Sequence, residues 1–103
     1  MRRNKYNARK TEIDGIVFDS IRESRRYSDL KLRQFAGEIS HLEIHPAWDL
    51  DVNNVHIGKY TADFIYIENG KAVIEDSKGV KTRDYILRKK LMKALYGIEI
   101  VEV

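Results

Sequence analysis

The sequence predicts one small α/β domain, ordered as arm, helix, three strands, helix, strand, and three observations predict it. Asn69-Gly70 lies between two apolar runs, Tyr60 to Glu68 and Lys71 to Lys78. A type I′ turn needs positive φ at both central residues, so Asn-Gly between β-branched and aromatic residues signals an antiparallel hairpin. Two helical stretches are each opened by a capping residue and closed by glycine, Ser20 to Gly37 and Thr82 to Gly97. The length of 103 residues suits one modest core and not two.

Residues 1–12 carry five basic side chains and no apolar periodicity, which predicts a basic, flexible arm ahead of a domain at 13–103. Ile13 to Phe18 reads as a turn into a short extended segment. Ser20 and Glu23 form a Ser-x-x-Glu capping box, and the helix runs to about Phe35 or Ala36. Glu23 shares a helical stripe with Tyr27, Leu30 and Gln34, so it borders the buried face as well as capping the helix. Ile44, Pro46, Trp48, Leu50 and Val52 alternate with Glu43, His45, Ala47, Asp49 and Asp51, the pattern of a half-buried strand with Pro46 marking an edge. His45 falls on the polar register, where a surface or supporting role outweighs a catalytic one. Asn53-Asn54 turns the chain into the central hairpin. Thr82 caps the second helix, whose stripe of Leu87, Leu91, Ala94 and Leu95 is expected to pack on the sheet. Ile98 to Val103 reads as a last strand, parallel to the second strand of the hairpin after the helical crossover.

At 43% hydrophobic the chain is globular, and no apolar run reaches membrane-spanning length. The absence of cysteine excludes disulfides and Cys-based zinc sites, and with no apolar leader after the basic start a cytoplasmic protein is expected. The net charge of +3 conceals segregation. Lys78 to Lys93 holds seven basic residues against Asp84 alone, whereas Glu38 to Asp76 holds eight acids against Lys59 and Lys71. Basic flanks around an acidic centre suit a polyanion gripped at its edges while metal ions offset the acids. A solvated basic helix beside a ragged terminus is the plainer explanation.

The chemistry concentrates at the far end of the hairpin. If Glu68 and Lys71 flank the turn as partners, Ile65 faces Ile74 and Asp63 faces Asp76. Lys78 then shares their face while Glu75 points to the other beside Phe64. Opposed residues in a sheet stand roughly 4.5–5.5 Å apart at Cβ, and like charges so placed are destabilising by up to about 1 kcal/mol. A cation reverses that sign, and Mg²⁺ is held by one or two carboxylates with waters and substrate phosphate. Two alternatives stand beside this: solvated charges at a frayed hairpin end, and a bulge that pairs Asp63 with Glu75.

Ala62-Asp63 followed by Asp76-Ser77-Lys78 resembles the motif of the PD-(D/E)xK nuclease superfamily, with Ala62 in place of the proline. Gly15 to Ser20 with Glu23, Tyr60 to Phe64, Glu75 to Gly79 and the Tyr85 to Tyr96 helix resemble a small phage and prophage family of that superfamily, in the branch that contains Holliday junction resolvases. The resemblance implies a restriction-endonuclease-like fold with an αβββαβ core and a mixed central sheet flanked by helices. It implies a homodimeric, Mg²⁺-dependent endonuclease for branched DNA, with Mn²⁺ as a substitute ion. Glu23, Asp63 and Asp76 would be the metal ligands, Lys78 the fourth catalytic residue, and Lys81, Thr82, Arg83, Arg88 and Lys89 candidate contacts to DNA phosphates. Three rivals remain: a nicking or structure-nonspecific nuclease, a non-catalytic binding module of the same fold, and a small basic RNA-binding domain. Clustered acids, where an RNA-binding sheet shows aromatic and basic groups, speak against the last.

Overall fold

Three two-residue turns shape most of the sheet structure in the computed structural model, which describes residues 10–77 and 80–103. Strands β1 (Thr11–Ile13) and β2 (Ile16–Phe18) meet across Asp14-Gly15, with φ of 55° and 77°. Strands β4 (Ala47–Val52) and β5 (Val55–Thr61) meet across Asn53-Asn54, at 50° and 66°. Strands β6 (Phe64–Glu68) and β7 (Lys71–Asp76) meet across Asn69-Gly70, at 53° and 76°. Each pair of turn residues has the left-handed backbone that matches the twist of the flanking strands. The expected register of the last hairpin is present, with Glu68 against Lys71 and Ile65 against Ile74. The basic arm, by contrast, ends sooner than residue 12, because Thr11 and Glu12 already pair with Phe18 and Val17. The remainder of that expectation, residues 1–9, lies outside the described residues.

Helix α1 (Ile21–Phe35) starts at Ser20, whose side chain accepts from the Glu23 amide, and stops at Ala36 and Gly37. Strand β3 (Ser40–Ile44) follows, and the central sheet runs β3-β6-β7-β8, with β8 (Val101–Glu102) parallel to β7 and the other pairs antiparallel. The fold is thus α/β with a mixed sheet. Between the helices it has five strands instead of three, because the predicted strand from Ile44 to Val52 is divided between β3 and β4 and because β5 is a strand of its own. The division falls at His45-Pro46, where His45 adopts φ 51° and proline offers no amide to the ladder. Alternating exposure continues through the break, which is why the sequence reads as one strand.

Two apolar clusters lie on opposite faces of β6 and β7. On one, Tyr27 and Leu30 of α1 pack with Phe18, Ile39, Phe64 and Tyr66. On the other, Tyr85 and Met92 of α2 (Arg83–Tyr96) pack with Leu50, Tyr60, Ala62, Ile74 and Ile100. Helix α2 does not present the predicted stripe. Leu87 is 55% and Leu95 37% exposed, while Met92 is fully buried. Polar clips set its roll: the Arg88 guanidinium donates to the Lys59 carbonyl and the Tyr96 hydroxyl to the Asp49 carbonyl at 2.6 Å. Tyr85 and Met92 are therefore the buried residues of α2, with Leu91 of the predicted stripe packed beside them. Among the described residues no helix is long and apolar enough to cross a membrane.

Candidate active site at the bend of the sheet

The strand breaks place His45 and Asp63 side by side. The His45 amide donates to the Asp63 carbonyl at 2.9 Å and the Ala62 amide to the Pro46 carbonyl at 3.0 Å. These bonds carry the β3–β6 pairing into the β4–β5 pairing across a bend, so His45 and Asp63 occupy its two sides. At that bend the Asp63 amide donates to the Glu75 carbonyl at 3.1 Å, although Phe64 is the residue in register with Glu75. Two consecutive residues stand against one, as in a bulge. The direct Asp63 to Asp76 opposition expected from sequence is therefore replaced by the bulge alternative.

The bulge redirects the Asp63 side chain along β7. Its Oδ2 accepts the Ser77 amide at 2.7 Å, joining the acid at the end of one strand to the middle residue of Asp76-Ser77-Lys78. The Ser77 hydroxyl at this joint is buried and has no hydrogen-bond partner among the described residues. Asp76 is fully buried on the α2 face, where its carboxylate accepts from the Tyr60 hydroxyl. Burial, then the bond to Asp76, raises the Tyr60 phenol well above the ordinary tyrosine range. Lys78, the remaining motif residue, lies outside the described residues.

Glu75 points to the opposite face, as expected, and enters the α1 side as a buried anion. Arg26 grips it with two bonds, Nε to Oε1 at 2.8 Å and Nη2 to Oε2 at 2.6 Å, and the Tyr66 hydroxyl donates to Oε2. Burial, reinforced by Glu75, pushes the Tyr66 phenol up to about 12.

Glu23 sits where the stripe puts it, 6% exposed on the inner side of α1. Its amide is held by Ser20 at 3.1 Å, which is half of the capping box. Its carboxylate bonds His45 Nε2 at 2.7 Å. Sequence reading missed this partner, and missed Tyr60 as the partner of Asp76. For Tyr60 the signal was available, a hydroxyl on an inward strand position two strands from a buried acid.

The candidate phosphate contacts around the start of α2 are mostly occupied. Thr82 caps the helix by accepting the Tyr85 amide at 3.1 Å. Lys81 and Lys89 pair with Glu102 at 3.3 and 3.1 Å, and Arg88 pairs with Asp84 at 2.9 Å besides clipping β5. Arg83 is exposed at the first turn. Among the described residues no group of three or more His, Asp or Glu side chains converges as a metal cage, so Glu23, Asp63 and Asp76 do not form one as they stand. Their chemistry still suits a hard cation, because all three offer carboxylate oxygens. The Ser77 hydroxyl beside Asp63, without a partner among the described residues, is the kind of group that a water or ligand oxygen satisfies.

Fold and site together define a small α/β protein with a mixed sheet, a helix on each face, Asp63 at a bulged bend, Glu23 on the α1 side and Asp76 buried on the α2 side. The chain belongs to the family described as "Protein of unknown function (DUF1064)", which it matches over residues 3–100. Comparison with curated proteins gives no match.

Proposed function

We propose that this protein is a metal-dependent endonuclease that hydrolyses DNA phosphodiesters, acting as a cytoplasmic homodimer on branched DNA in phage recombination or DNA processing. One observation carries the reading: Asp63 Oδ2 on the Ser77 amide, which joins the two halves of the Asp…Asp-x-Lys motif. Asp63 and Asp76, with Glu23, would hold Mg²⁺, which when bound supplies an activated water and offsets charge developing on the scissile phosphate. Lys78 orients the nucleophile and neutralises the phosphate in the transition state. Arg83, Lys81 and Lys89 grip flanking phosphates, the two lysines by exchanging Glu102 for substrate. A second reading, a non-catalytic DNA-binding module, draws on the full burial of Asp76 beneath Tyr60.

The test is cleavage of a labelled four-way junction beside a linear duplex and a flap of the same sequence, with Mg²⁺, Mn²⁺ or EDTA. Paired nicks in the junction alone, abolished by EDTA and slowed on the order of 10²-fold or more by Lys78→Ala, are the expected result. Equal cutting of all three substrates would make the enzyme a general endonuclease. Binding without cutting would favour the non-catalytic module, and undiminished cutting by Asp63→Asn would overturn the site.

A further inference from the structure

We infer that His45 is a positioning residue of this site, holding the Glu23 carboxylate in place relative to Asp63; the inference rests on the metal-dependent reading above. The Glu23 side chain is 8% exposed and needs a donor at that depth. The helix cap does not supply one, since Ser20 serves the Glu23 amide and the carboxylate bonds His45 Nε2 at 2.7 Å. An ionised carboxylate only accepts, so Nε2 carries the hydrogen.

The imidazole is itself held from two directions. The His45 main-chain amide donates to the Asp63 carbonyl at 2.9 Å, and the backbone keeps φ 51°, a left-handed conformation in which histidine, like asparagine and aspartate, is enriched. Phe18, fully buried, stands 6.3 Å from the ring, centroid to centroid. A chain of two hydrogen bonds thus runs from Glu23 on α1 through His45 to Asp63 at the bulge. It ends on the Asp63 main chain, and so links the helix that carries Glu23 to the bend that carries Asp63. The His45 side chain is 42% exposed, so this link reaches the surface where a polyanion would approach. Groups that orient ligating carboxylates matter nearly as much as the ligands, and their loss costs about 10–100-fold in metal affinity or activity.

Two substitutions separate positioning from mere structure. His45→Asn accepts the left-handed backbone, yet its shorter amide falls short of Glu23. His45→Gln keeps an N–H donor at nearly the reach of Nε2. The measurements are Mn²⁺ affinity by electron paramagnetic resonance, the Mn²⁺ concentration for half-maximal cleavage, and Tm. We expect His45→Asn to weaken Mn²⁺ binding about tenfold or more and to raise the cleavage midpoint in parallel, and His45→Gln to restore most of both. Lower Tm with unchanged Mn²⁺ affinity, or equal losses in the two variants, would overturn the role. Wild-type protein that binds Mn²⁺ and cuts DNA while His45→Asn matches it would overturn this inference alone. Wild-type protein that neither binds Mn²⁺ nor cuts any substrate would overturn the proposed function and this inference with it.

Discussion

Asp76 is the most demanding residue of the molecule, because a fully buried carboxylate loses its hydration and must be compensated by donors. Tyr60 supplies one across the α2-side core, from β5 to β7. Removing that hydroxyl leaves the aromatic packing against Trp48 and Tyr85 and deletes its polar contacts, to Asp76 first and to the Tyr85 hydroxyl second. Tyr60→Phe should therefore cost about 1–3 kcal/mol of stability, the penalty for taking a donor from a buried acceptor. Tyr85→Phe is the comparison: its hydroxyl donates to Glu102 at 2.9 Å and is only secondarily coupled to Tyr60 and Asp76, so it should cost less, about 0.5–1.5 kcal/mol. Urea unfolding of the two variants decides the matter; equal losses would show that Asp76 does not depend on Tyr60. At this scale the sequence shows that Glu23 turns inward but not what holds it, and it does not show that Asp76 is fully buried. Glu23 is inward because its stripe with Tyr27 and Leu30 is local. Its partner His45 comes from the break between β3 and β4, 22 positions along the chain, and no periodicity connects them.

Between elements, the grip of Arg26 on Glu75 fixes how α1 lies on β7. Glu75 is 1% exposed and receives two Arg26 nitrogens, while Arg33 further along α1 divides its contacts between two more exposed acids, Glu38 and Glu68. Arg26→Met removes the cation and leaves a buried anion with Tyr66 as its remaining donor, which should cost about 3–5 kcal/mol. Adding Glu75→Leu should recover part of that loss, because an apolar pair has no charge to desolvate while the buried Tyr66 hydroxyl loses its acceptor. Thermal unfolding of the single and double variants measures the difference, and a double variant no more stable than Arg26→Met would contradict the account. From sequence, Arg26 looks like one more solvated arginine of a basic helix. Alternation placed Glu75 on the correct face, but the helix bringing its partner lies 49 positions away. The caps and the Asn-Gly register are legible for the converse reason: each is decided within four or five residues. The roll of α2 is not legible, because Arg88 and Tyr96 set it by bonds to β5 and β4.

Across the whole molecule, helices on opposite faces, a parallel last strand and one hairpin at the centre follow from element order and hydrophobic period, and these the sequence carries. The bend does not, since His45 and Asp63 depart from strand geometry without interrupting the alternation on either side. Tyrosines stitch both faces together around it. Tyr27 and Tyr66 lie under α1 and Tyr60 and Tyr85 under α2, and burial is the largest cause of a raised phenol in all four. Each also donates to an acid: Asp14, Asp76, Glu75 and Glu102 respectively for Tyr27, Tyr60, Tyr66 and Tyr85. A phenol whose folded pKa exceeds its unfolded value stabilises the fold fully below the unfolded value, and that contribution is lost as pH rises through the folded one. For Tyr66 the window runs from 10.0 to about 12. With such groups in both clusters, alkaline unfolding should involve the two faces together. Tyrosinate absorbance followed beside far-ultraviolet circular dichroism should therefore show the buried phenols ionising in one cooperative step, above pH 10, that coincides with loss of secondary structure. Gradual ionisation of all the phenols near pH 10 with the dichroism unchanged would mean that these hydroxyls are open to solvent and that neither cluster is closed around them.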